Sequence, residues 1–310
     1  MSKNKTDRIQ ECNERMKKKM THLELFHGLV AAGMKMRYGS KPSKAVILRV
    51  LWEKKHIIDA GFVDYYIMAF WIFRFHATSS NINVWSRSAM LSSIVCYCLG
   101  LTEVNPIKYG LHSVRFVNDK LPDFQFDIEK SRFEEFKEMA EHLLQANAGG
   151  YDIPAIKACL FKDVKLGQRI RKTSMCPCEY LNRKHERPVP ENIDDEMARY
   201  ALKFPATMHL YDAYVQQPSA FDQLIYQEEM LDILCHTFRV SSIKANDIRI
   251  AIQRHEIERI EAYKKELFSD LQDINPFEAE TSWQRLTSNP NAFLKAHAVS
   301  RVLARYYYEF

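Results

Sequence analysis

Acidic and amide side chains alternate with apolar ones along Leu121-Pro122-Asp123-Phe124-Gln125-Phe126-Asp127-Ile128-Glu129. Successive side chains of a β-strand point to opposite faces, so Asp123, Gln125, Asp127 and Glu129 share one face and Phe124, Phe126 and Ile128 the other. Three carboxylates and an amide on one strand face make either a solvated edge or a site for hard divalent cations, which take carboxylate oxygens. A second concentration of chemistry is the basic stretch Lys165 to Arg187, where Lys165, Arg169, Arg171, Lys172, Arg183, Lys184 and Arg187 face only Glu179 and Glu186 among the acidic residues. One-signed charge of this kind is either a solvated face or a contact with phosphates. The seven cysteines form no repeated Cys-x-x-Cys pair and read as reduced intracellular thiols. Cys176-Pro177-Cys178, with a one-residue gap and no second pair, is not a zinc signature.

The elements that must position these groups can be read from spacing. Apolar residues at helical intervals predict a helix from His22 to Met36, closed by the Gly39 to Ser43 loop. Helix signals continue from Ala45 to Phe75 with a break at Gly61, and the aromatic run Tyr65 to Phe75 reads as core, since it is contiguous and not interleaved with basic residues. Thr78 to Asn83 is loop-like, and Arg87 to Leu99 reads as a helix closed by Gly100. After the alternating strand, Ser131 and Glu134 form a capping-box pattern ahead of an amphipathic helix ending at Gly149-Gly150. Ala155 to Val164 reads as a further strand. Beyond it the pattern is helical over Met197 to Phe204, Glu228 to Phe238, Ile243 to Gln253, Glu256 to Leu271 and Asn291 to Tyr308.

A chain of 310 residues with 46% hydrophobic content has enough apolar surface for a sizeable core, which excludes a disordered class. The aromatic run is interrupted by Arg74 and falls short of the ~20 residues a spanning helix needs, so no membrane segment is expected and a cytoplasmic protein is. The net charge of +5 is modest, but the clustering of basic residues keeps a nucleic-acid partner in view.

The order of motifs resembles the bacterial replicative DNA polymerase III alpha subunit, the C-family polymerases. That family's palm carries Gly-Pro-Gly-Arg-Gly-Ser-Ala-Ala, a helix ending in Tyr-Leu-Leu-Gly-Ile-Thr, Lys-Tyr and Glu-Arg-Phe segments, then Pro-Asp-x-Asp-x-Asp. This chain has Val84-Trp85-Ser86-Arg87-Ser88-Ala89, Tyr97-Cys98-Leu99-Gly100-Leu101-Thr102, Lys108-Tyr109, Val114-Arg115-Phe116 and Pro122-Asp123-Phe124-Gln125-Phe126-Asp127. Further on, Arg183-Lys184-His185, Ile225-Tyr226-Gln227-Glu228, Ala245 to Ala251 and Phe293-Leu294-Lys295-Ala296-His297-Ala298 are similar to segments of the family's fingers.

The resemblance implies an α+β, mostly helical fold, with a small mixed-sheet, nucleotidyltransferase-like palm followed by helical fingers. The boundaries expected are a helical segment over 1–44, a palm-like domain over 45–164 and a fingers-like domain over 165–310. It also implies two divalent ions, Mg²⁺, held by carboxylates, and basic groups on a triphosphate. Here Gln125 stands at one family carboxylate, Asp127 keeps another, and Cys159 falls where a later one belongs. A shifted metal pair, Asp127 with Glu129, would be the remaining option for activity. Arg87, Ser88, Arg249 and Lys295 are the expected nucleotide contacts, although the family's glycines are missing at Ser88-Ala89 and its second arginine is Ile250. Arg169, Arg171, Lys172, Arg183 and Lys184 are the expected DNA contacts. His185 and His297 read as packing or capping residues.

Relative to the family, the chain starts beyond the phosphoesterase-like domain, ends at the fingers and has a short thumb region, so processive synthesis by it alone is not expected. Three functions follow as alternatives. One is a catalytically impaired replication protein acting through DNA or replisome proteins, another a compact active DNA-directed polymerase, and the last a helical protein-interaction module without nucleic-acid function.

Overall fold

In the computed structural model, residues 21–145, 170–173, 192–269 and 274–308 are described. Helix α1, His22–Tyr38, starts where Thr21 and Glu24 cap each other reciprocally, the Thr21 hydroxyl accepting from the Glu24 amide and the Glu24 carboxylate from the Thr21 amide. Helix α2, Lys44–Asp59, starts at Ser43, whose hydroxyl accepts from the Val46 amide. After the expected break at Gly61 comes α3, Val63–Ala69, which widens into a π-helix over Phe70–His76 and closes with an α turn at Ala77–Ser79. The aromatic run is therefore largely core: Tyr66, Ile72 and Phe73 are buried, while Phe75 reaches solvent.

The single helix expected over Arg87 to Leu99 is replaced by three pieces. Val84–Arg87 is strand β1, Ser88–Ser92 is a 3₁₀ turn, and only Ile94–Cys98 is α-helix, here α4. Two causes are visible. Strand pairing takes up the backbone of Val84 to Arg87, and Ser88 has φ +68°, which stops a helix from beginning there. The start of α4 is instead fixed by Glu53 of α2, fully buried, whose carboxylate accepts from the Ser93 hydroxyl at 2.7 Å and from the amides of Ile94 and Val95 at 3.1 and 3.0 Å. Helix α1 crosses α4 at backbone contact: a Cβ added to Gly33 would lie 1.8 Å from the Cys98 carbonyl oxygen.

The sheet is small and mixed. Strand β2, Gln125–Glu129, lies between β1, antiparallel to it, and β3, Ile170–Thr173, parallel to it. The register pairs Trp85 with Asp127 and Arg87 with Gln125. Directly opposed residues of an antiparallel pair share a face, so these four side chains project together, while Ser86 and Phe126 project from the other side. β3 falls inside the basic stretch, where no strand was expected, and the strand expected over Ala155 to Val164 lies outside the described residues.

Helix α5, Phe133–Gln145, follows β2 through a 3₁₀ turn. Then come α6 (Ile193–Ala201), α7 (Tyr211–Gln216), α8 (Gln227–His236), α9 (Ser242–Gln253), α10 (Ile257–Ser269), α11 (Pro276–Ser288) and α12 (Lys295–Tyr308). Helices α7 and α11 were not foreseen. Their starts are marked by local chemistry that apolar spacing does not record; α11, for instance, begins with Pro276 after an Asn275 cap. The apolar interior has two parts. The larger joins α1, α2, α3 and the sheet to α6 and α12, and the smaller gathers α8, α9, α10 and α11 around Met230, Ile248 and Trp283. Among the described residues, no single helix is long and apolar enough to cross a membrane.

Candidate functional site

Asp127 lies in the middle of β2 and is 3% exposed. The strand face carrying it, expected to be open, is covered by α12. The Trp85 indole donates to the Ser300 carbonyl at 3.1 Å and to its hydroxyl at 3.0 Å, and that hydroxyl donates to the Ser86 carbonyl at 2.9 Å. This fastening brings Arg301 over the sheet. Its Nη1 donates to Asp127 Oδ2 at 3.1 Å, while Arg87 Nε stands 3.4 Å from Oδ1, which receives no hydrogen bond among the described residues.

The Asp127 carboxylate thus stands between two guanidiniums in a site shielded from water. A divalent cation placed there would meet two like charges at short range, with weak dielectric screening. Gln125 offers no compensation, because its amide donates to the exposed Asp123 carboxylate. Among the described residues, no three His, Cys, Asp or Glu side chains gather as a metal site. Of the two residues expected to hold Mg²⁺, Asp127 is thus committed to Arg87 and Arg301. Glu129 ends β2 opposite Thr173, and only its strand position is described.

The expected nucleotide contacts fall in two places. Arg87 and Ser88 sit at the end of β1 beside Asp127. Arg249 is on α9, buried beside Arg115 of the Ser113–Arg115 turn, which also packs against the Ser88–Ser92 turn. Both guanidiniums converge on two carboxamides. Gln227 Oε1 accepts from Arg115 Nη2 at 2.6 Å and from Arg249 Nη1 at 3.2 Å, and Asn246 Oδ1 accepts from Arg115 Nη1 at 3.3 Å and Arg249 Nε at 3.1 Å. Arg249 Nη1 also donates to Gln253 Oε1 at 2.7 Å.

Burial first, then the neighbouring Arg115, push the Arg249 guanidinium down to about 9. Burial also lowers Arg115, and it raises the fully buried Glu228 against the pull of Arg115. All three shifts express the cost of holding charge away from water. Lys295 starts α12: its backbone amide donates to Glu228 Oε2 at 2.9 Å and its Nζ lies 5.6 Å from the centre of the Tyr226 ring. The cluster is rich in donors, with Arg115, Arg249 and Lys295 set among the carboxylates of Glu228, Glu229 and Asp232.

Of the expected DNA contacts, Arg171 and Lys172 lie on β3, described only through their strand pairing with Asp127 and Ile128. Arg169, Arg183 and Lys184 lie outside the described residues, as do Cys159 and His185. The ring of His297 packs 6.2 Å from that of Phe293. Sequence reading gave no role to Arg301, Arg115, Gln227, Glu228 or Asn246. Arg115 and the Gln227-Glu228 pair stood inside motif segments. For Arg301 the available signal was a polar Ser300-Arg301 pair inside the apolar stretch Ala296 to Ala304.

Residues 24–147 match the family described as the bacterial DNA polymerase III alpha NTPase domain. An error-prone DNA polymerase of Anaeromyxobacter sp. (strain K) is 32% identical over 116 residues, covering 36% of this chain and 10% of that protein. Error-prone DNA polymerase 1 of Rhizobium meliloti (strain 1021) is 34% identical over 118 residues, covering 37% and 10%. The DNA polymerase III subunit alpha of Mycobacterium leprae (strain TN) is 33% identical over 107 residues, covering 33% and 9%. These matches span about a tenth of the relatives' length, and the family match over residues 24–147 contains β1, β2, Arg87 and Asp127.

Proposed function

We propose that this chain is a DNA polymerase III alpha-like replication protein that engages DNA or replisome proteins and does not itself transfer nucleotides. The family match over residues 24–147 supports the first half of this reading. The second half rests on one observation: Asp127 is held between Arg87 and Arg301, with Gln125 two residues before it on the same strand face. Two-metal nucleotidyl transfer needs carboxylates free to bridge cations, so that one ion activates the attacking hydroxyl and the other steadies the leaving group. Mg²⁺, when held by such carboxylates, supplies that Lewis acidity, and the Asp127 carboxylate is already committed to two guanidiniums.

The residues present act differently. Arg87 and Arg301 neutralise Asp127 and fix β1 and α12 to β2. Arg115 and Arg249 form a donor-rich locus suited to phosphate oxygens. The basic residues of 165–187 add charge that a polyanion would meet on approach. Affinity of this kind holds DNA without chemistry.

Primer extension with Mg²⁺ or Mn²⁺ tests the reading. The protein and its Asp127→Ala variant are expected to give the same background-level products; template-directed extension that disappears in Asp127→Ala would overturn it. Binding to DNA is expected to weaken steeply as salt rises. No binding at low salt would remove the DNA arm and leave protein partners.

A further inference from the structure

Helix α2 is apolar on two faces. Val46, Val50 and Ile57 are buried in the fold, with Glu53 on the same side capping α4. Ile47, Leu48 and Leu51 face the other way and are 39%, 56% and 56% exposed. Helical residues three and four apart are neighbours, so these aliphatics form one stripe, with half-buried Trp52 on its flank. The Trp52 ring is held against that of His56, centres 3.9 Å apart. A helix apolar all round is one covered on all sides, and an exposed apolar patch with a polar rim marks an interaction site.

The rim of this stripe is basic. Exposed Lys44 lies one turn before Ile47 and Leu48, exposed Lys55 one turn after Leu51, and half-buried Lys54 beside Leu51. Against them stands Asp59, paired with Lys55. Lys44 and Lys54 have no acidic partner among the described residues. Arg49 is turned away, to Glu53 and the Ser92 carbonyl.

This charge selects the occupant. A second copy of the chain fits poorly, since an isologous contact sets the same lysines against each other. A lipid surface fits poorly too. The exposed aliphatics run only from Ile47 to Leu51, about 6 Å of helix axis, whereas an interfacial helix sinks a long apolar face. One aliphatic ridge with positive charge at both ends instead matches a helix carrying apolar residues at the same spacing and carboxylates beside them.

We propose that α2 docks an acidic amphipathic helix of a partner protein on Ile47, Leu48 and Leu51, with Lys44, Lys54 and Lys55 meeting its carboxylates. This surface is independent of the Asp127 face and of the DNA reading.

Fluorescence anisotropy of the full chain with a labelled helical peptide of about 18 residues, leucines at i, i+3, i+4 and i+7 and glutamates at flanking positions, tests the proposal. The expected Kd is about 100 μM or tighter. A scrambled peptide of the same composition, and one with lysine for each glutamate, should bind at least about tenfold more weakly. Leu48→Gln combined with Leu51→Gln, at exposed positions outside the core, should weaken binding at least about tenfold while helical circular dichroism and DNA binding stay unchanged. Lys44→Glu with Lys55→Glu should lose the acidic peptide and gain the lysine one, an exchange that a merely structural role would not produce. The proposal is overturned if the acidic peptide does not bind, if the scrambled peptide binds as tightly, or if the leucine variant binds normally. Sedimentation velocity and phosphatidylserine vesicles identify the other occupants. Self-association or vesicle binding that the leucine variant abolishes would assign the face to a second copy or to lipid and overturn the proposal equally.

Discussion

Asp127 shows how one residue changes meaning with its neighbours. On a bare strand its carboxylate is a cation ligand; between Arg87 and Arg301 it is the counter-charge that makes two guanidiniums tolerable next to a core. Asp127→Ala strands those guanidiniums and should destabilise the fold by about 3–5 kcal/mol, the usual result of breaking a buried ion pair from one side. Urea unfolding measures it, and a loss within experimental error of zero would refute the clamp. Gln125→Asp makes the complementary point. It restores an acidic side chain beside Asp127, yet primer extension should stay at background even with Mn²⁺, because the clamp remains closed. Gain of metal-dependent extension in that variant would show that the amide alone had silenced the site.

The helical elements were legible wherever side chain and backbone agreed. Apolar spacing announced α1, α2, α6, α8, α9 and α12, and the caps at Thr21 and Ser43 fix where the first two begin. β1 escaped because four residues of mixed polarity carry no strand period of their own; pairing with β2 made them a strand. The close crossing of α1 and α4 is also a tertiary fact. Gly33→Ala would drive a methyl group into the Cys98 carbonyl, and overpacking of this kind typically costs ~1–3 kcal/mol. A drop in Tm with retained helical circular dichroism is the expected signature, whereas an unchanged Tm would mean that the two helices separate freely.

Across the whole molecule, parts far apart in sequence meet through single polar pairs. His112, in the loop after α4, bonds Asp232 of α8 at 2.8 Å. Burial by itself would raise the Asp232 carboxyl, but the His112 hydrogen bond and charge, helped by His236 and Lys295, outweigh it and hold the group below its ordinary 3.8. A carboxyl lowered on folding adds stability that is complete above its unfolded value and disappears as pH falls through the folded one. His112→Ala should therefore be less stable than the parent above the ordinary aspartate range, with urea midpoints converging as pH falls below it. A gap that stayed constant across this range would deny the pair its role.

The sequence by itself determined most helices, the burial of the aromatic run and the alternating strand that carries Asp127. These follow from local chemistry: caps, periodicity and residue types at fixed spacing. Tertiary structure alone decided what Asp127 faces. Arg301 is separated from it by 174 positions, and no spacing rule links them. They meet because Trp85 and Ser300 lock α12 across β1, and electrostatics then favours a guanidinium over a metal ion at the same carboxylate.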